Sequence, residues 1–412
     1  MIWRRAKRPE PVTPRRLDVV GAGPAGLSAA ITAARAGLEV VVRERASTVG
    51  SRFHGDFQGL DNWTTEGNVL EELNALGIEP SFEHAALREL VVFGPDGTEG
   101  ELRSETPLCY LVRRGPDVGT LDTALLAQAR EAGAEVRFDD PIHKLPQGGV
   151  VAHGPRASDA VAVGWTFRTD LADGAYGALG EEIAPRGYAY LLACGGRATL
   201  AVCLFADFHR EDRYLERALD LFQRRVGFRM DDARRFAGAG AMRLPGSAVR
   251  GGNLFAGEAA GFQDPLWGFG IRYALLSGHL AARAWIEGSP ESYDALWRER
   301  LGGLMRAGAV NRFFYELRGD PGYRALIRAS SRARDSRSWL RRRYAPSWLT
   351  TAVFPWVRSV AFRSLDPAEC SEKDCDCTWC RCVRGMPRPQ RAGAPTPGVV
   401  SARGFSKRAP DE

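Results

Sequence analysis

The stretch that most restricts the fold is LDVVGAGPAGLSAAITAARAGLEVVVRER, residues 17–45. LDVV reads as a short apolar strand, and Gly21, Gly23 and Gly26 follow it in GxGxxG spacing. LSAAITAARAG then reads as a helix ended by Gly37, and EVVVRER as a second strand carrying Glu44, 23 residues after Gly21. Each part has a physical task. Gly21 allows the tight turn, Gly23 lets a pyrophosphate approach the backbone, and Gly26 lets helix and strand pack closely. Pro24 and Ala25 open the helix, whose N-terminal N–H groups favour phosphate oxygens. Glu44 is placed to accept hydrogen bonds from a ribose diol, with Arg45 beside it. A lone glycine pattern is weak, but strand, glycines, helix, second strand and acid in register specify a dinucleotide corner. The alternative is a structural βαβ unit without a ligand.

A second glycine-rich stretch, NLFAGEAAGFQDPLWGFGIRYALLSGHLAARAW, begins at Asn253. NLFAG reads as a strand and turn, Asp264–Pro265 breaks the chain, and Gly268, Phe269 and Gly270 lead into a helix from Ile271. Such a helix start offers unpaired N–H groups and a partial positive charge. That charge suits the N1–C2=O edge of a flavin, which becomes anionic on reduction. Three features thus favour FAD: the early position of the first corner, Arg52 in STVGSRF placed to meet the pyrophosphate, and this second stretch.

Together the two stretches resemble the FAD-dependent geranylgeranyl reductase family, part of the flavoprotein class that includes the aromatic hydroxylases. The family's second motif, G-D-A-A-G-x-x-x-P-x-x-G-x-G-I-x-x-A-x-x-S-G, is matched by Gly257, Ala259, Ala260, Gly261, Pro265, Gly268, Gly270, Ile271, Ala274, Ser277 and Gly278. Where the family has an aspartate on the ribityl chain, this sequence has Glu258, one methylene longer. The resemblance covers about residues 17–320 and implies that the two stretches hold opposite ends of one FAD. It also implies a cofactor-side arginine in CYLVRRGPDVGTLDTALLAQAREAGAEVRF, at Arg113 or Arg114; Arg113 is taken as the candidate. Two departures stand out. VVAHGPRASDAVAVGWTF lacks the Asp-Gly pair of the hydroxylases, and RFHGDFQGLDNW lacks the cysteine that archaeal prenyl reductases often place there.

The implied activity is reduction of carbon–carbon double bonds in an isoprenoid or other apolar, lipid-like substrate. Hydride comes from the reduced flavin, and NAD(P)H or a small electron carrier is the donor. The alkene also needs a proton. His54 and Asp56 are the catalytic candidates, since an imidazole titrating near pH ~6.5 suits acid–base work; a structural hydrogen bond is the alternative for His54. An FAD-dependent monooxygenase or halogenase using NAD(P)H and oxygen is the rival activity. A metal-binding electron-transfer or scaffold flavoprotein is the rival from another class.

The expected fold class is α/β: a Rossmann-like FAD-binding domain with an inserted mixed-sheet substrate domain and a helical C-terminal region. At 412 residues the chain has room for two or three domains of about 150 residues. Residues 1–16 form a basic arm, 17–140 and 250–300 a discontinuous FAD domain, and 141–249 the substrate domain. Residues 301–368 are helical and basic, 369–383 cysteine-rich, and 384–412 a disordered tail. WTFRTD and YAYLLACGGRATLAVCLF read as strands, YLERALDLFQRRVGF as an amphipathic helix, and Tyr188, Tyr190, Phe262 and Trp267 as pocket liners.

Charge concentrates near the C-terminus: Tyr323–Arg363 holds ten arginines and one acid, Asp335. Trp339, Trp348 and Trp356 alternate with those arginines, and Pro346 and Pro355 prevent one continuous helix. Such a segment suits an anionic membrane surface; a solvated helical cap is the bland alternative, and nucleic acid the less favoured partner. No apolar run approaches the ~20 residues of a membrane span, and no secretory signal is evident, so the expected location is cytoplasmic, at most peripheral to the membrane. Cys109, Cys194 and Cys203 read as buried thiols. Cys370, Cys375, Cys377, Cys380 and Cys382 are spaced to wrap zinc or an iron–sulfur centre, with a metal-free segment as the alternative.

Overall fold

The computed structural model describes residues 16–142, 145–155, 159–242 and 244–361. The arm before residue 16 and the five-cysteine segment lie outside this range. Three sheets organise the described residues. The nucleotide sheet runs, in spatial order, Val249–Arg250, Asn253–Phe255, Gly149–Val151, Arg16–Val20, Glu39–Arg43 and Glu135–Arg137. All its pairings are parallel except the first. Val19, Val40 and Val42 are buried, as expected of a parallel sheet covered on both faces.

The second sheet forms a roof. Its seven strands run Asp231–Gly240, Ala160–Arg168, Arg197–Leu204, Tyr188–Cys194, Gly174–Ala178, Glu89–Phe93 and Glu99–Arg103. Tyr188–Cys194 and Arg197–Leu204 form a hairpin closed by Gly195 and Gly196, both at positive φ (59° and 71°). Two-residue hairpins with the twist of their strands require such angles. Ala189, Leu191 and Ala193 pack with Tyr214, Leu215, Ala218 and Phe222 of the helix Glu211–Arg225, leaving Tyr188, Tyr190 and Leu192 on the opposite face. A small antiparallel sheet, Phe57–Asp61, Cys109–Arg113 and His84–Leu87, stands between the two larger ones.

The division of the chain differs from the expected one. Strands 89–93 and 99–103 belong to the roof although they lie inside the expected FAD segment. Strand 149–151 belongs to the nucleotide sheet although it lies inside the expected substrate segment. The reason is pairing: Val91 to Phe93 sit in register with Tyr176 to Ala178, and Val150 with Val19.

The C-terminal region is helical, as expected. Gly303–Ser331 is broken at Gly319 (φ 51°), and Ser336–Tyr344 and Trp348–Ala361 follow. Pro346 separates the last two helices, but Pro355 lies inside the last one. Among the described residues no helix is long and apolar enough to cross a membrane.

Candidate functional site

The two glycine stretches meet. The helices Pro24–Arg35 and Ile271–Ile286 cross with almost no side chain between them. A Cβ on Gly278 would strike the carbonyl oxygen of Ala25, and one on Gly257 would lie 2.9 Å from the Ala25 Cβ. Ser28 Oγ donates to Leu275 O (2.6 Å), and Gly257 N donates to Ser277 Oγ (2.9 Å). Thus Ser277 and Gly278 serve the crossing.

The glycines of the first corner divide by role. Gly21 adopts φ 96° beneath the Ala152 carbonyl, and a Cβ on Gly26 would strike the Gly21 carbonyl. These two are structural. A Cβ on Gly23 would meet nothing within 4 Å, and Gly23 lines the cavity, so open space lies in front of this glycine. Neither Gly23 nor Gly270, the residues preceding the two helices, supplies a side-chain cap. Elsewhere Asn68, Thr120 and Asp335 cap helix starts with their side chains.

A single cavity of about 810 Å³ connects these parts. Its polar end is lined by Gly23, Pro24, Ala25, Glu44, Arg45, Arg52 and Glu258. Glu44 accepts from Ala22 N (2.7 Å) and Ala46 N (3.0 Å), which fixes its carboxylate against the glycine turn. Arg52 pairs with Glu258 (3.0 Å) and so links the two stretches through their side chains. Gly257, Gly268, Phe269, Gly270 and Ile271 line the middle, under the roof residues Tyr188 and Tyr190. The lining also includes an apolar arm of Leu87, Leu90, Val92, Leu102, Leu326 and Ile327.

Several expected residues sit elsewhere. Arg113 is buried but does not line the cavity; it pairs with Glu83 (3.1 Å) and donates to Val118 O (2.6 Å). Arg114 is the cavity arginine, bidentate to Asp122 (2.8 and 2.9 Å) and donating to Gln58 Oε1 (3.1 Å). The two point apart because they are neighbours at a strand end. His54 is exposed and off the wall, whereas Asp56 is buried and on it. Asp56 accepts from His54 N and Gln58 Nε2, both at 3.0 Å. Phe262 packs against Trp297 (5.2 Å between rings) behind the cavity, while Tyr188, Tyr190 and Trp267 do line it. Pro265 lies against Gly308, also behind the wall. Of the three expected buried thiols only Cys109 is buried, while Cys194 and Cys203 are half-buried; Cys109 and Cys203 line the cavity. Burial pushes the Cys109 thiol up to about 12 and Cys203 up to about 11, so neither supplies thiolate near neutrality.

No local pattern in the chain points to what holds the loop 264–270. Asp264 is buried, and its carboxylate accepts from Leu266 N (3.2 Å), Trp267 N (2.8 Å) and the Tyr344 hydroxyl (2.9 Å). Burial above all pushes its pKa from 3.8 up to about 6, and the charge of Asp61 adds to this against those hydrogen bonds. Arg312, fully buried, donates to Leu266 O (3.1 Å), and Tyr188 donates to Trp267 O. Gln263 Nε2 donates to Gly268 O (2.7 Å), but its Oε1 is buried without a hydrogen-bond partner among the described residues. A buried acceptor beside the second glycine stretch fits the ring N–H of a flavin. With the open space at Gly23 and the two uncapped helix starts, the residues present fit FAD. Among the described residues no group of three His, Cys, Asp or Glu is placed to hold a metal.

The comparisons agree with this geometry. Residues 18–58 match the family described as FAD binding domain. A digeranylgeranylglycerophospholipid reductase of Methanosphaerula palustris is 28% identical, covering 68% of this chain and 80% of that one. Among solved structures, a geranylgeranyl bacteriochlorophyll reductase-like protein of Thermoplasma acidophilum has a TM-score of 0.63 at 20% identity, covering 83% of this chain and 96% of the other. The flavin-dependent brominase Bmp2 has a TM-score of 0.59 at 16% identity, covering 85% and 100%. At these identities the solved structures establish the shared fold.

Corner, cavity and matches define an FAD-dependent oxidoreductase. Within that class, the chain is similar to reductases of the geranylgeranyl reductase-like type.

Proposed function

We propose that this oxidoreductase saturates carbon–carbon double bonds of an isoprenoid or other apolar, lipid-like substrate. The observation that carries the reading is the apolar arm, whose side chains line the same cavity as the second glycine stretch. Leu87, Leu90, Val92 and Leu102 come from the small sheet and roof, Leu326 and Ile327 from the C-terminal helices. Such an arm excludes water and accepts a long hydrocarbon chain. The flavin, when bound, supplies hydride chemistry. Gly23 and the two helix starts hold its phosphate and ring ends, and Glu44 its ribose. NAD(P)H or a small electron carrier is the proposed donor.

The wall must then deliver a proton to the second carbon. Asp56 is there, and Tyr190 stands on the roof face within reach of its charge. Burial raises the Tyr190 pKa well above 10, so its hydroxyl keeps its proton through the neutral range. Tyr188, on the same face, has committed its proton to Trp267 O. The proposed proton route therefore uses Asp56 and Tyr190 rather than His54.

The test is to mix chemically reduced, flavin-loaded protein with a geranylgeranyl-chain lipid without oxygen and follow product mass. Gain of two hydrogens per double bond is expected. Incorporation of an oxygen atom or a halogen under air, with no reduction, would instead establish the monooxygenase or halogenase reading. Asp56→Asn and Tyr190→Phe should lower turnover at unchanged flavin content, and His54→Ala should not. Zinc or iron–sulfur at Cys370–Cys382 remains a separate proposal from spacing, decided by metal analysis.

A further inference from the structure

The helix Trp348–Ala361 has two apolar faces, and only one is covered. At 100° per residue, Val353, Phe354 and Val357 share a face, and they pack with Val310, Phe313 and Phe314 of Gly303–Ser331. Trp348, Leu349, Ala352, Pro355 and Trp356 share an opposing arc of about 120°. All five are exposed; Trp348 is 82%, Leu349 54% and Trp356 51% accessible. Phe313 meets Trp356 edge-on at 5.4 Å, and Leu317, one turn past Phe313, is 66% exposed. Isolated exposed apolar residues need no explanation, but a contiguous patch marks a contact surface.

The charge around this face selects its partner. From Ser336 to Ala361 there are five arginines and no acid. Arg337 is engaged by the carbonyls of Asn62 and Gly67, and Arg341 by Glu66. Arg342, Arg343 and Arg358 are exposed, although Arg343 also lies over the Trp339 ring (4.1 Å) and Arg358 has a contact of its own. A second copy of the chain is a poor occupant, because a twofold interface would set the same arginines against one another with no acid from this segment to answer them. A lipid surface suits both parts: tryptophan rests at headgroup level, and arginine is drawn to acidic headgroups.

We propose that the face of Trp348, Leu349, Ala352, Pro355 and Trp356, rimmed by Arg342, Arg343 and Arg358, docks on an anionic bilayer. The same helical layer walls the apolar arm. Ser336–Tyr344 contributes Trp339 and Leu340 to the cavity and carries Arg342 and Arg343 outside it. Docking therefore brings the arm to the lipid surface, although it does not depend on which reaction the flavin performs.

The test uses the full chain with its flavin and two vesicle preparations, phosphatidylcholine alone and with phosphatidylglycerol. Flotation on the anionic vesicles at low salt is expected, lost as salt rises, with a blue shift of tryptophan fluorescence. Arg342→Gln with Arg343→Gln should weaken binding roughly 25-fold, at about fivefold for each basic residue near an acidic surface. Trp348→Ser with Trp356→Ser should weaken it at least as far, and both variants should keep the wild-type flavin content. No flotation on anionic vesicles at low salt overturns the proposal. So does binding that neither variant diminishes. A wild-type dimer by light scattering that becomes monomeric in the tryptophan variant also overturns it, since the face is then a self-interface. Binding with no lipid reduction would leave the docking intact and count against the proposed reaction alone.

Discussion

Replacing Asp264 with asparagine should reverse a pH-dependent strain in the loop that borders the ring end of the cavity. Below pH 3.8 the Asp264 carboxyl is protonated in folded and unfolded chains alike. Between 3.8 and about 6 the unfolded chain ionises while the buried carboxyl keeps its proton, so the folded state holds more protons. Stability contributed by this group therefore falls as pH rises through that window, and it levels off above about 6. The difference of about two pKa steps corresponds to about 3 kcal/mol. Asparagine does not titrate, and the hydrogen bonds it alters give an offset that is constant with pH. The neighbouring Asp61, also raised by its burial, is present in both proteins and largely cancels. Denaturant unfolding at pH 4, 5, 6 and 7 should show Asp264→Asn gaining about 3 kcal/mol on wild type across the series. A difference that stays flat, or moves toward wild type, refutes the assignment of a raised pKa to Asp264.

Gly23→Val should leave the melting of flavin-free protein unchanged, because its Cβ meets no protein atom, yet cut the bound flavin measured by absorbance at least tenfold. Gly278→Val must push two helices apart at Ala25; a loss of about 1–3 kcal/mol or more in unfolding free energy is expected, together with lower flavin retention. Arg114→Ala leaves Asp122 buried without its bidentate partner and should cost about 3–5 kcal/mol by denaturation, whereas Arg113→Ala, whose partner Glu83 is exposed, should cost less.

Local pattern carried the first corner into view. The strand, glycines and helix of 17–37 are contiguous, and each glycine's spacing encodes its own task. The strands on either side of Gly195–Gly196 were legible as contiguous apolar runs, whereas their pairing as a hairpin was not read. What the sequence left open needed distances between remote residues. All five residues of strand Cys109–Arg113 are buried, so alternation gives no clue to whether Arg113 or Arg114 turns inward. His54 and Asp56 both lie in a loop, where no period assigns a face. Asp264 reads as a chain breaker beside Pro265, and only Tyr344, 80 residues later, shows it to be the hub of the loop. Trp339 was grouped with Trp348 and Trp356 by composition, yet it lines the cavity while they face outward.

Strands 89–103 complete the roof before most of the roof has been made, and strands 149–151 and 253–255 return to the first sheet after its opening pair. During synthesis the first sheet cannot finish until the ribosome has passed the whole roof, whose last strand ends at Gly240. Cutting this polypeptide into a cofactor half and a substrate half would thus leave the first sheet without its inner strand 149–151 and the roof without its edge pair 89–103, and only co-produced fragments are expected to assemble.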